Sequence, residues 1–219
     1  MAKKLFILIL ISGAWLSMAA QTKPKYKKTL RAEFQLPKTT SNKAFKKAFS
    51  GVYNMGLSMN VGTPHYSGGV FYTLTQFQVF PKVNTDAHPI LTVHSTGIRL
   101  TYDNLIPNGK GMWSPYISPG VSFLKYSRVK CKNETPGDQT ITTFSLNGGV
   151  VYNIMMDEWV GAGFILGYNI IDHVYRPENV CMDEWGLTYT ENEKQGILQN
   201  FFFGFTVYFD LAYKPETSE

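Results

Sequence analysis

Four charged residues fall where charge is costly. Arg31, Glu33, Arg99 and Asp210 each sit inside a short segment in which apolar residues alternate with small or polar ones. Alternation at period two sends successive side chains to opposite faces, and all four lie on the less apolar face. Charges buried there need partners, so they are expected to form one network. Such a network either fills an interior and fixes register, or it makes a gate or a proton path. Arg31 and Glu33 lie on the first segment and Asp210 on the last, which are neighbours if the sheet closes on itself.

Cys131 and Cys181 are the two cysteines. In an exported chain a pair favours a disulfide, and closing a loop of about 50 residues contributes roughly 3–4 kcal/mol. Two free thiols, or a metal site using a nearby His, are the alternatives. His94, Asp172, His173, Asp183 and Glu184 fall near the same end of the molecule as the cysteines. His beside a carboxylate is the raw material of general acid–base chemistry. No Gly-x-Ser-x-Gly or His-Glu-x-x-His frames them, and adjacent Asp172 and His173 start on opposite faces of any strand. They read as a polar rim; no catalytic residue, metal or cofactor is assigned.

The elements that must position these residues are strands. Eight segments carry the alternation: Thr29–Leu36, Val52–Gly62, Gly69–Phe80, Leu91–Tyr102, Pro115–Ser127, Thr142–Met155, Trp159–Ile171 and Asn200–Leu211. Turn-forming pieces separate them, such as Gly62-Thr63-Pro64, Pro107-Asn108-Gly109-Lys110-Gly111 and Met156-Asp157-Glu158. Asn42 to Phe49 fits one short helix, capped by Ser41, with Phe45 and Phe49 on one face. In the third segment the apolar face is ambiguous, because Val70, Tyr72 and Leu74 compete with Phe71, Phe77 and Val79.

Which face is wet decides the fold. A soluble barrel of the lipocalin type puts oil inside and charge outside; a membrane barrel reverses this. The less apolar faces here are small and uncharged: Asn54, Gly56, Ser58 and Asn60 on the second segment, Gly161, Gly163, Gly167 and Asn169 on the seventh. Over all eight segments only Arg31, Glu33, Arg99, Lys125 and Asp210 are charged, against 17% of the chain. The opposite faces are continuous oil, as in Val160, Ala162, Phe164, Leu166, Tyr168 and Ile170. Leu30, Ala32, Phe34 and Leu36 are placed towards lipid. Trp113, Tyr116, Tyr126, Tyr152, Trp159 and Tyr213 lie near strand ends, where aromatic girdles belong.

The leader agrees with this compartment. Lys3 and Lys4 precede an apolar run from Leu5 to Leu16 and the small residues Ser17 to Ala20, the plan of a secretory signal peptide. The run is too short for a spanning helix. The organisation is a signal peptide over 1–20, a basic periplasmic tail over 21–28, a barrel over 29–211 and a short C-terminal tail over 212–219. Net charge is +5, or +3 once Lys3 and Lys4 leave with the leader, too little to point to nucleic acid. Lysines crowd the N-terminal part: Lys23, Lys25, Lys27 and Lys28, then Lys38, Lys43, Lys46 and Lys47. They form either a solvated tail and loop or a contact for anionic headgroups and lipopolysaccharide phosphates.

The chain resembles the bacterial outer-membrane β-barrels, the small OmpA/OmpX-type and "porin family" barrels. Gly-punctuated strands such as Ser114-Pro115-Tyr116-Ile117-Ser118-Pro119-Gly120-Val121 and the aromatic last strand carry the resemblance. One departure is that Ala212 to Glu219 extend beyond the last strand. The expectation is an all-β, eight-stranded, antiparallel, up-and-down transmembrane barrel in an outer membrane, both termini periplasmic, with no general diffusion pore. Its expected role is non-enzymatic, structural or interacting with a protein partner through outer loops. The loop His173 to Leu198, with His173, Asp183, Glu184 and Trp185, supplies the contact candidates, and outer-membrane lipid and lipopolysaccharide surround the wall. The alternatives are a narrow channel or binder of a small or lipidic ligand, a lipid-modifying enzyme, and an accessory subunit of a secretion system.

Overall fold

A computed structural model describes residues 26–80, 88–106, 110–131, 139–157, 159–184 and 188–211. The leader, the tail up to Lys25, Trp185, Tyr213 and the C-terminal extension lie outside the described residues. Eight strands run up and down: β1 Lys27–Thr39, β2 Phe49–Gly62, β3 Tyr66–Val79, β4 Ile90–Tyr102, β5 Gly111–Ser127, β6 Gln139–Met155, β7 Val160–Val174 and β8 Ile197–Asp210. Each pairs antiparallel with its sequence neighbours, and β1 pairs with β8, which closes the barrel. A two-residue strand, Asn104–Leu105, adds to the start of β5. Lys27 and Lys28, expected in the tail, open β1.

The register sets the bore. Following partners from Thr29 through Asn60, Gly69 and Arg99, then Ser118, Asn147, Asn169 and Asn200, the path returns to β1 at Thr39, ten residues beyond its start. Eight strands with that stagger tilt by about 40° and enclose a backbone cylinder of roughly 8 Å radius. Side chains fill such a space.

Near the chain termini the wall is built as in a membrane barrel. Leu57, Met59, Ile98, Leu100, Ile117, Phe164 and Phe205 face out and are exposed, whereas Asn60, Ser58, Arg99, Ser118 and Thr206 are buried inside. Tyr66 with Tyr102 and Trp113 with Tyr152 pair at this rim, with ring centres 4.9 and 4.7 Å apart. Tyr116 and Tyr126 are not girdle residues. Their positions on β5 share parity with Ser114 and Ser118, and both are buried in the lumen.

Towards the other end the polarity inverts. Phe77, Val79, Leu91, Val93, Leu124, Tyr126, Ile171 and Leu198 point inward and are buried, while Gln78, Lys125 and Asp172 face out and are exposed. This part of the wall is built like a soluble barrel. It resolves the ambiguity in β3: Val70 and Tyr72 face out, and Phe71, Phe77 and Val79 face in. The strands outrun the bilayer for the same reason. A tilted strand of 17 residues such as β5 rises about 43 Å, against an apolar band of roughly 25 Å.

Helix α1, Lys43–Ala48, closes this mouth. Ala44, Phe45 and Ala48 are fully buried, and Phe45 stacks on Phe49 at 4.8 Å between ring centres. Phe77 and Tyr175 meet Phe45 edge-on at 5.3 and 5.2 Å. The N-cap is Asn42, in the left-handed region at φ 52°, and not Ser41. Ser41 instead donates its hydroxyl to the Ile197 carbonyl at 2.6 Å.

Candidate functional site

The lumen has three layers along its axis. In the layer nearest the termini, Asp103 accepts from Lys27 Nζ at 3.1 Å and from the Ser114 hydroxyl at 2.5 Å. Arg31 lies 3.8 Å from the same carboxylate, and both cations face the Tyr208 ring, at 5.0 and 5.8 Å. Arg31 Nε and Nη1 have no partner among the described residues, so Arg31 is held from one side. Asp210, expected as the acid here, is half-buried at the end of β8 beside Thr29. Asp103 lay hidden because it follows the end of β4 and reads as a turn. Its parity with Arg99 and Thr101 was the usable signal.

The middle layer is built on β1, β2, β4 and β5. Arg99 forms an ion pair with Glu33 and donates to Ser118 at 3.0 Å and Ser58 at 3.1 Å. The Gln35 amide donates to Glu33 at 3.0 Å. Tyr116 lies under the guanidinium, 4.4 Å from its ring centre. Two glycines make room for this phenol: a Cβ on Gly149 or Gly167 would come within 2.9 or 2.8 Å of its hydroxyl. The cavity beside Arg99 and Glu33 measures about 10 Å³, the scale of a single water.

The third layer is the apolar cap, and it is latched from several sides. The Asn42 side chain accepts from Phe45 N at 2.9 Å and donates to the carbonyls of Tyr175, Lys194 and Gly196 at 3.2, 3.2 and 3.0 Å. This one amide ties the loop after β1 to the loop before β8. Helix α2, Glu191–Lys194, begins with a capping box of Thr190 and Glu193. Glu193 also takes Lys47 of α1, and Lys194 takes Glu178. The Lys47 ammonium and the Thr190 backbone N–H hold the Glu193 carboxyl below the usual range. Burial beside α1 pushes the Tyr175 phenol up.

Cys131 and Cys181 meet at this end, with Cα atoms 5.2 Å apart, inside the disulfide range. A Glu184 carboxylate oxygen lies within 4.8 Å of both sulfurs; the third ligand-type group is thus a carboxylate and not a His. The remaining loop candidates scatter. Asp183 is exposed. His173 turns inward and its Nε2 lies 3.3 Å from the Tyr126 hydroxyl. His94 faces outward on the wall with Nδ1 2.7 Å from the Tyr72 hydroxyl. Asp172 is exposed on the opposite face from His173. The imidazoles are thus engaged by tyrosines, and the His–carboxylate contact that catalysis needs is not the one these bonds make.

No family model matches the sequence, and no curated protein matches it. Solved structures are similar in fold. Neisserial surface protein A is 13% identical, with 85% of this chain and 97% of that one covered and a TM-score of 0.48. A major outer membrane protein from Thermus thermophilus is 10% identical, over 83% and 99%, at 0.46. Ail, the attachment invasion locus protein of Yersinia pestis, solved with the heparin analogue sucrose octasulfate, is 7% identical, over 84% and 99%, at 0.44. The eight-stranded, closed antiparallel barrel itself is shown by this chain's own strand pairing.

Proposed function

We propose that this chain is an integral outer-membrane barrel whose working surface is the latched cap, presented outside the cell, with both termini periplasmic and residues 1–20 removed on export. The observation that carries this reading is the filling of the lumen. An apolar plug, a buried Arg99–Glu33 layer and a Lys27–Asp103–Arg31 layer lie in series, which disfavours transport. The investment in order lies at the cap instead. Loops with nothing to hold would not need the Asn42 hub, two lysine–glutamate ties and a cysteine pair at bonding distance. A structural or interaction role, non-enzymatic, fits that distribution.

Co-purification from native outer membrane in mild detergent tests it. The wild-type chain is expected to bring down a stable protein partner, and the variant Asp183→Arg with Glu184→Arg to lose it while the barrel keeps its folded mobility on unboiled gels. Ion currents from the wild-type chain in a planar bilayer, or loops that externally added protease cannot reach in intact cells, would overturn the reading.

A further inference from the structure

Polar side chains in the lumen mostly bond to one another. Ser58 and Ser118 accept from Arg99, and Ser114 donates to Asp103. Arg31 Nε and Nη1, Asn60 Oδ1, Ser67 Oγ, Thr101 Oγ1, both polar atoms of Asn153 and Thr206 Oγ1 have no partner among the described residues. All six residues are more than nine-tenths buried. They come from β1, β2, β3, β4, β6 and β8.

The register places these six at one level. With strands tilted by about 40°, each residue climbs about 2.5 Å along the axis, and each step in register to the next strand climbs about 3 Å. Counted from Thr29 along the path of partners, their Cα atoms fall within a slab of about 6 Å. The Arg99–Glu33 pair lies just above this slab, and Lys27 and Asp103 lie just below it. Ser145, Asn147 and Asn169, which also carry unpartnered atoms, sit higher in the bore.

Arg31 brings the one full charge to the slab. The carboxylate within ion-pair range, Asp103, is 3.8 Å away, beyond hydrogen-bond reach. Lys27 and Ser114 already donate to it. Arg99 and Gln35 take Glu33, and Asp210 stays half-buried at the rim beside Thr29. Arg31 is thus the cation left over when both buried carboxylates are engaged. Water would satisfy the hydroxyls and leave this charge uncompensated in a bore of low dielectric. An anion answers both needs, because a guanidinium edge, hydroxyls and an amide can all donate to it. The surplus is a single charge in a bore filled by side chains, which selects a small monovalent ion. Its way in is the mouth near the termini, where the Lys27 side chain is 13% exposed.

We infer that the lumen holds one small monovalent anion, of the halide class, on Arg31 Nε and Nη1, with the Thr101 and Thr206 hydroxyls and the Asn153 amide around it. The anion completes the charged layer at this end of the barrel. The site is the same whichever mouth faces outward.

Linkage to folding tests it. The mature chain, folded in a nonionic detergent, is unfolded by urea while chloride replaces gluconate at constant ionic strength. An ion bound by the folded barrel alone raises the folding constant in proportion to its concentration once the site is filled, so a log–log plot should reach a slope of about one. Arg31→Met should flatten that slope to about zero, and Arg31→Gln serves if the Met variant does not fold. Lys38→Gln, which removes an exposed cation from β1, should keep the slope. Crystals grown in bromide should show one anomalous peak within hydrogen-bond distance of the Arg31 guanidinium. A flat response of the wild-type chain means that the ring holds water alone and overturns the site. A slope shared by the wild-type chain and the Arg31 variant, or a bromide peak elsewhere in the bore, overturns it as well.

Discussion

The Arg99 guanidinium meets Glu33, Ser58 and Ser118 at once and lies 4.4 Å from the Tyr116 ring centre. Removing one partner of such a pair strands the other charge in a dry lumen, at about 3–5 kcal/mol, whereas replacing both with apolar groups is often neutral. Arg99→Met should therefore lower stability against urea by about 3–5 kcal/mol, and adding Glu33→Met should restore most of the loss. A double variant weaker than the single would contradict this. Arg31→Met should cost less than Arg99→Met, since Arg31 is held from one side and Asp103 keeps Lys27. Arg31, Glu33 and Arg99 were legible because period-two parity carries a charged residue inward as surely as a serine. Asp103 was not, because parity was stopped at the strand end while the chain continues inward for one more residue.

Among the elements, α1 and its latch show the limits of local rules. The spacing of Phe45 and Phe49 predicts the buried face of the helix correctly. The cap goes to Asn42 because this residue tolerates the left-handed region and its amide reaches three carbonyls from a distant loop, which Ser41 cannot do. Asn42→Ala leaves those groups unsatisfied and should cost about 2–4 kcal/mol, seen as faster hydrogen exchange across α1. The latch should also respond to acid. A carboxyl held low by its partners adds stability above its unfolded pKa, about 4.3 for Glu, and loses it as pH falls through the lower folded value. Glu193 is such a group, so the α2 amides should exchange faster below pH of about 4. That acid step should shrink in Lys47→Gln, which leaves only the Thr190 backbone N–H to hold the carboxyl low. Cys131 and Cys181 brace the same cap. Unreduced digests should yield a linked peptide pair, and quantitative alkylation of both thiols would refute the bond.

For the molecule as a whole, the alternation that marks a membrane barrel ends where the wall leaves the bilayer. The expected strands were short mainly at the loop side: β1 runs on to Thr39, β2 starts at Phe49, β6 at Gln139 and β8 at Ile197. There the outward residues turn polar and the inward ones apolar, so a search for oil outside stops early. The inverted section becomes the cap, and the cap lies in series with two charged layers. Conduction through layers in series is limited by the tightest one still closed. Phe45→Ala with Tyr175→Ala should loosen the mouth, and Arg99→Ala with Glu33→Ala should empty the middle, yet neither pair alone should give current in a planar bilayer. In each case the Lys27–Asp103–Arg31 layer remains, bound to Tyr208 and Ser114 at the end near the termini. Adding Asp103→Ala and Arg31→Ala to both pairs should give the first detectable current, a small one because Tyr116, Tyr208, Phe71 and Phe202 still line the bore. Stepwise currents from either pair alone would mean that the layers do not seal independently.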